Sequence, residues 1–513
     1  MALYPKRSKP ACFSATLIKM NINRLLLFLS VILPLAACAP KQIELDSPAH
    51  DKILKEDLKT LGMEAPSTSR PAGQKTVRKA LSLTLEKAVH KGIRHNFDAR
   101  LSAFNYLAQK DQVTLAQLET LPSLTASGTR LGRSNQGASS SESALDGDIS
   151  LEPSFSTEPN RKFLDLEAKW NMTEAALAYI DARTQSNRQN ILRARYKKVR
   201  NGIARDVYSA YWKALAYQEN RDATRALLNE LDAQLENLNK AKSEKLLSSR
   251  DYVQRRQSLL EARTEMAEQY RQLKLASAEL KSLLSLPVKA KIELAVPSPE
   301  IAEKYQDLLT GDIGKLEMDA LRNRPELREE ILVQNRNANT RRKEILRALP
   351  GAEFLYAFNR DTNKFLVDHS WTNYSASLTQ KLTELIKLPQ KLETIDNDKE
   401  RSRLKRLNLS FAIISQIHIA HQQLVFASQA YKTASAQARL SSEKQNFTKT
   451  LLETGTGSRE NNLKARLENQ ITQLRSVSAH SDLQGAYAGL TYSLGLPAPQ
   501  TPGHPDRPGG GET

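Results

Sequence analysis

The sequence predicts a mainly helical chain that also carries membrane β-strands: long coiled-coil hairpins written twice, with two strands in each copy. Three observations predict it. Gly and Pro number only 20 and 21 in 513 residues and cluster at a few places, so the stretches between them, rich in Leu, Ala, Gln, Glu, Lys and Arg, favour long helices. Motifs repeat at a fixed offset along the chain. Short segments between the helical stretches alternate apolar and polar residues, which is the strand period.

The repeat orders everything else. Arg94 to Arg100 (RHNFDAR) corresponds to Arg322 to Arg328 (RNRPELR), and Leu118 to Ser123 (LETLPS) to Leu346 to Gly351 (LRALPG), both at an offset of 328 − 100 = 228. Met172-Thr173-Glu174 corresponds to Leu382-Thr383-Glu384, and Ser285-Leu286-Pro287 to Gly495-Leu496-Pro497, both at 382 − 172 = 210. The first copy therefore holds 228 − 210 = 18 extra residues between Pro122 and Met172. Register kept over such a length marks a duplication.

Within each copy the order is helix, two strands, long helix, turn, long helix. The first helix is expected from Thr84 to Leu121, stopping at Leu-Pro. Beyond it, Leu164, Leu166, Ala168 and Trp170 alternate with Asp165, Glu167 and Lys169; Phe354, Tyr356 and Phe358 alternate likewise, as do Tyr374, Ala376 and Leu378. Polar loops, 132–159 and 359–370, separate the paired strands. Leu228, Leu231, Leu235 and Leu238, and Leu463, Leu467, Ile471, Leu474 and Val477, step by three and four as in a coiled-coil seam, a stripe that ordinary core packing also produces. Breaks at 246–251 and 455–460 mark hairpin tips far from the strands.

Four amphipathic strands cannot close a barrel, and the smallest membrane barrels have about eight. Open edges in lipid cost several kcal/mol per unpaired backbone group. The chain is thus expected to pool strands with copies of itself, and three copies give twelve strands with a passage inside. Nothing after residue 40 has the apolar length of a membrane helix, which excludes a polytopic helical transporter.

The N-terminus points to an anchor. Leu25 to Leu35 is an apolar run preceded by Lys19 and Arg24, and it ends in Leu35-Ala36-Ala37-Cys38, a sequence that looks like a bacterial lipobox. Cys38 would then carry the lipid, and Ala39 after it suits outer-membrane sorting. Met20 offers a second start before the apolar run. The other cysteine, Cys12, falls in the removed part, leaving no disulfide. The formal charge of +18 becomes 18 − 5 = +13 without Lys6, Arg7, Lys9, Lys19 and Arg24. Such a surplus suits anionic lipid or cargo, or simply a solvated face; no nucleic-acid motif accompanies it. The segments are a lipoprotein signal peptide (1–37), an anchored linker (38–80) with a short helix near Lys52 to Leu61, a first repeat (81–287), a connector (288–315), a second repeat (316–497) and a Pro- and Gly-rich tail expected to be disordered (498–513).

Leu83-Thr84-Leu85-Glu86-Lys87-Ala88, the Arg-x-x-x-Asp/Glu-x-Arg element, Leu-Pro before a strand, the duplicated coiled coils and Leu494 to Pro497 together resemble the TolC-type outer membrane efflux proteins, in their lipoprotein branch. The resemblance covers about Leu81 to Pro497. It implies a homotrimer with a shared twelve-strand barrel in the outer membrane and an α-helical tunnel in the periplasm. It further implies a passive conduit in a tripartite efflux or type I export system, with a periplasmic adaptor and an inner-membrane pump, no cofactor and no catalysis. The docking tips fall on Leu246, Leu247, Arg250 and Asp251 in one copy and on Gly455, Gly457, Ser458, Arg459 and Glu460 in the other. The aperture falls on Asn461 and Lys464, where many relatives have acids. A neutral or basic aperture would favour anions, unless Lys464 simply faces solvent.

Other constellations carry less. His418 and His421 stand three apart on a helix without an accompanying carboxylate motif, so no metal site is assigned. Trp170 suits either an interfacial anchor or plain strand packing. No Walker loop, nucleotide fingerprint or nucleophile elbow occurs, which argues against an enzyme. The alternative is a periplasmic adaptor or coiled-coil scaffold lipoprotein without a pore, a reading the alternating strands oppose.

Overall fold

The computed structural model describes residues 48–60 and 81–497, apart from Leu151 and Val288. The signal peptide, Cys38 and the tail lie outside the described residues, as does most of the linker. The chain divides into two units, Met1–Lys75 and Thr76–Thr513. In the first, α1 (Pro48–Thr60) is the described element. Everything below concerns the second, where no helix among the described residues is long and apolar enough to cross a membrane.

The two halves are built from matching elements. The first runs β1 (Leu81–Leu83), α2 (Leu85–His95), α3 (Phe97–Leu118), β2 (Ser123–Gly132), β3 (Ala138–Ser139), β4 (Ser154–Phe155), β5 (Asn160–Asn171), α4 (Met172–Ser243) and α5 (Ser249–Leu283). A connector with β6 (Ile292–Leu294), α6 (Pro299–Glu303) and α7 (Gln306–Leu309) follows. The second half runs α8 (Ile313–Asn323), α9 (Pro325–Arg347), β7 (Gly351–Asp361), β8 (Ser370–Thr379), α10 (Leu382–Glu453) and α11 (Arg459–Ser493). α4 and α10 each have 72 residues, and α5 and α11 each have 35. At the usual rise, 72 residues span about 108 Å. The 18 extra residues of the first half fall in the β2–β5 loop, part of which pairs as the small β3–β4 ladder.

The expected single helix from Thr84 to Leu121 is two helices. Asn96 ends α2 and caps α3, its Oδ1 accepting from the backbone N–H of Asp98 (2.9 Å) and Ala99 (3.4 Å). An Asn at this position offers the backbone a competing partner to the helical ladder. The equivalent break lies at Arg324, where Pro325 opens α9 and disfavours helical backbone in the residue before it. These breaks let two helices share the flank of one long helix. α5 abuts the end of α2, with Asn96 Nδ2 donating to Leu283 O (3.3 Å) and Ser285 Oγ to His95 O (3.0 Å).

The four long strands form one antiparallel sheet in the order β2-β5-β7-β8. Each half supplies a hairpin, and the hairpins join through β5 and β7, from Phe163 opposite Asp361 to Asn171 opposite Glu353. The main core sits farther along the helices. There Tyr208, Tyr211 and Trp212 of α4 pack with Val89, Leu284, Ile417 and Leu483. The connector is pinned to this region. β6 pairs in parallel with β1, Tyr211 donates its hydroxyl proton to Ala295 O (2.6 Å), and Gln218 exchanges two hydrogen bonds with the backbone of Leu294 (2.8 and 2.9 Å). A second core of Leu227, Leu231, Met266, Leu273, Leu467 and Leu474 joins the two hairpins nearer their tips.

Candidate functional site

The sheet is inside out. On one face stand Leu124, Ala126 and Gly128 of β2; Leu164, Leu166, Ala168 and Trp170 of β5; Phe354, Tyr356 and Phe358 of β7; and Tyr374, Ala376 and Leu378 of β8, which the register places side by side. This apolar face is open: Tyr374 is 85% exposed, Leu124 79% and Tyr356 57%. The opposite face carries Asp165, Glu167, Lys169, Glu353, Asn359 and Asp361, and here Asn359 and Asp361 are only 5% and 3% exposed. A water-soluble sheet reverses this arrangement, burying the apolar face. Exposed apolar and shielded polar side chains are the pattern of a sheet whose outer solvent is lipid and whose inner solvent is water. Two ion pairs lock the polar face, Arg161–Asp361 (2.8 Å) and Lys169–Glu353 (2.9 Å).

β2 and β8 are edge strands, each paired on one side only. Their free backbone groups need partners. Trp170 lies on the apolar face at its helix-side end, 43% exposed, with Phe354 beside it in register.

The other end of the molecule is the pair of hairpin tips. α4 ends at Ser243, and Ser248 caps α5, its Oγ accepting from Asp251 N–H (3.0 Å) and donating to Asp251 Oδ2 (2.7 Å). In the second tip Gly455 takes the left-handed backbone (φ 77) that closes the turn, and Ser458 Oγ caps α11 by accepting from Glu460 N–H (3.1 Å). At Gly457 a Cβ would come within 2.7 Å of the Leu452 nitrogen, so the turn admits no side chain there. A cleft of about 1210 Å³ runs between the hairpins. It gathers Leu246, Leu247, Arg459, Glu460 and Lys464 from the expected tip residues; Arg250, Asp251, Gly455, Gly457, Ser458 and Asn461 do not line it.

Lys464 is not a free cation. Its Nζ lies 2.9 Å from Glu460, which also reaches Arg255 of α5 at 3.0 Å. The hydrogen bond from Lys464, with the positive field of Arg255, holds the Glu460 carboxyl below its ordinary pKa. One carboxylate is thus shared by two cations, Lys464 and Arg255, and the cluster stays basic.

Sequence reading missed the ties between hairpins. Arg466 of α11 grips Glu230 of α4 with two parallel hydrogen bonds (3.0 and 2.9 Å), and Arg475 of α11 pairs with Glu265 of α5. A signal existed: Arg475 and Glu265 are 210 residues apart, so equivalent positions of the two copies carry opposite charges and meet. His418 pairs with Glu317 (2.6 Å), and no metal-binding group of side chains occurs among the described residues.

No protein-family model matches the chain, and no curated protein matches it by sequence. Solved structures do match. The CmeC outer membrane channel of Campylobacter jejuni aligns with 81% of this chain and 86% of its own, at 13% identity and a TM-score of 0.60. The chain has the TolC-type channel fold. Two further structures carry the same TolC-type architecture. The outer membrane protein VceC of Vibrio cholerae aligns over 80% of this chain and 96% of its own, at 12% identity and TM-score 0.57. The open state of the MtrE outer membrane channel of Neisseria gonorrhoeae covers 81% and 90%, at 13% identity and TM-score 0.57. At such identities it is the TolC-type fold, not the sequence, that is held in common.

Proposed function

We propose that this chain is the outer-membrane channel of an efflux or type I export system and works as a passive conduit without catalysis. One observation carries the reading: a four-stranded sheet whose apolar face is open, whose polar face is shielded along its two central strands, β5 and β7, and whose two edges are unpaired. In lipid those edges demand strands from other copies, and three chains supply twelve strands enclosing an aqueous lumen lined by Asp165, Glu167 and the paired polar residues. The likeness to three outer-membrane channels supports the same placement.

In this reading the long helices continue the passage into the periplasm as a tunnel. The tips, with Leu246, Leu247, Arg250 and Asp251 beside Gly455, Gly457, Ser458, Arg459 and Glu460, dock a periplasmic adaptor that joins an inner-membrane pump. Asn461 and Lys464 flank the aperture. Glu460 is shared between Lys464 and Arg255, so two cations face one carboxylate and the aperture keeps a basic surplus that favours anions. Cys38 carries the lipid anchor, and the repeats from 81–287 and 316–497 form the barrel and tunnel. A scaffold lipoprotein without a pore would have no use for an inside-out sheet.

The test is conductance of the purified chain in planar bilayers together with the mass of its detergent complex. We expect a mass of three chains and small discrete conductance steps. A monomer without conductance, under conditions where a known channel conducts, overturns the proposal in favour of the scaffold reading.

A further inference from the structure

The apolar face of the sheet ends in charge on one side only. Above the apolar rows, at the end where β2 runs into the 133–159 loop and β7 into the 362–369 loop, the same face carries Arg130, Lys162 and Arg360. At the opposite, helix-side end the face finishes in Leu124, Trp170, Phe354 and Leu378, with no charge. Simple interfacial anchoring would place cations at both rims. The strand residues of this face include no acid; every acid of the four long strands (Asp165, Glu167, Glu353 and Asp361) stands on the other face.

All three cations are exposed, and none has a side-chain hydrogen bond or ion pair among the described residues. The two basic residues of the other face differ, since Arg161 and Lys169 are both paired. Arg130 lies directly opposite Lys162 in the β2–β5 register. Arg360 is opposite Leu164 and therefore diagonal to Lys162. Side chains in such positions stand about 5 to 8 Å apart, and like charges placed there destabilise a sheet. An anion seated between them reverses the sign of that interaction. The cluster is also no relic of the duplication: the positions equivalent to Lys162, Arg360 and Arg130 are Thr372, Gly132 and Phe358.

From Leu164 to Trp170 the apolar rows of β5 run about 20 Å at the usual rise. An acyl chain lying along them brings its headgroup to the level of the three cations. We infer that Arg130, Lys162 and Arg360 form a binding rim for the phosphate groups of lipids packed against the apolar face, on the loop side of the membrane. The inference rests on the reading of this sheet as part of a membrane barrel. It adds a partner, an anionic phosphorylated lipid, to a channel that needs only neutral acyl chains to be solvated.

The experiment uses the full chain purified in a neutral detergent, with lipid retention read by native mass spectrometry. The probes are a diphosphorylated glycolipid, its dephosphorylated counterpart with the same acyl chains, and inorganic phosphate. The phosphorylated lipid should be retained at least about tenfold more tightly than its counterpart, with the preference shrinking as salt rises. The R130Q/K162Q/R360Q variant should lose the preference while retaining the dephosphorylated lipid unchanged, and R130K/R360K should keep it. Equal retention of both lipids, or an unchanged preference in the glutamine variant, overturns the inference. Displacement of the lipid by stoichiometric inorganic phosphate also overturns it, as that marks a soluble-anion site. Single glutamine variants serve if the triple variant fails to fold. Conductance separates the two readings: a conducting protein without lipid preference sinks only the rim, whereas one that neither conducts nor retains lipid sinks the barrel as well.

Discussion

The two halves of the chain close the same turns with different residues. At the hairpin tip and at the end of the second long-hairpin helix, the second half uses Gly455 (φ 77) and Gly495 (φ 71). The first half, 210 residues earlier, has Lys245 (φ 60) and Ser285 (φ 52) in the same left-handed backbone. An L side chain in that region costs about 1–2 kcal/mol. Ser285 offsets part of this with its hydrogen bond to His95 O (3.0 Å). The side chain of Lys245 makes no such bond among the described residues. Duplication preserved the lengths of the long-hairpin helices to the residue while the turn chemistry drifted, so geometry is the more constrained of the two.

The largest expected effect lies at Gly495. A Cβ there would meet the Asn323 carbonyl carbon at 2.7 Å and the Arg324 nitrogen at 2.8 Å, on top of the positive φ. Gly495→Ala should therefore destabilise by about 3 kcal/mol, summing backbone strain and overpacking. Its counterpart Ser285→Ala removes one hydrogen bond and should cost about 1 kcal/mol. Chemical denaturation midpoints of the two variants compare the halves directly. Equal losses would mean that the close approach at Gly495 is no constraint.

The tips offer a smaller and opposite effect. Nothing lies within 4 Å of where a Gly455 Cβ would be, so the contrast with Lys245 is one of backbone alone. Lys245→Gly should stabilise the first tip by about 1 kcal/mol, and Gly455→Lys should destabilise the second by a similar amount. Amide hydrogen exchange at the two turns reads each locally, where a global melt would dilute the change. Slower exchange around Leu246 in the first variant is the expected outcome; no change would show that the tip frays before this turn breaks.

Much of this comparison was legible before any coordinates. The offsets of 228 and 210 recur as helix starts, 85 and 313 for α2 and α8, and 172 and 382 for α4 and α10. Strand alternation located the apolar face because period two is a local property of the chain. The break at Asn96 was hidden, since Asn inside a helical pattern reads equally as an exposed helix residue until its cap bonds are seen. Pairing between β5 and β7 joins residues about 200 apart, which no local pattern encodes. The pairing of Lys464 with Glu460 was open to view, since four positions on a helix bring opposite charges together, but the share that Arg255 takes of the same carboxylate was not. The loop-side cations were visible in the sequence, but only the register shows that Arg130, Lys162 and Arg360 share one face.

A last contrast between the halves is aromatic. Tyr270 of α5 packs against Tyr217 with the rings tilted and their centroids 5.3 Å apart, and its counterpart 210 residues later is His480 of α11. His480 lies against Trp212 of α4 (5.0 Å) and Tyr431 of α10 (4.9 Å), and its Nε2 faces the Gln484 amide at 3.3 Å. Asp482, two residues on, and Lys213, next to Trp212, neutralise each other in an ion pair (2.8 Å). Burial therefore sets the sign: the His480 pKa is lowered, so the folded chain holds the neutral ring. As pH falls below the ordinary histidine value of about 6.5, the unfolded chain takes up the proton first, and stability drops until pH passes below the folded pKa. Above that window the contribution vanishes, which makes this the smallest effect at neutral pH. His95, also lowered by burial and then by Lys91 and Arg94, acts with the same sign, so the slope alone does not assign it. The difference between wild type and His480→Gln does: the variant should lose less stability between about pH 7 and pH 5. An identical acid slope would mean that the ring is solvated enough to protonate in place, and that the histidine of the second half is no more pH-sensitive than the tyrosine of the first.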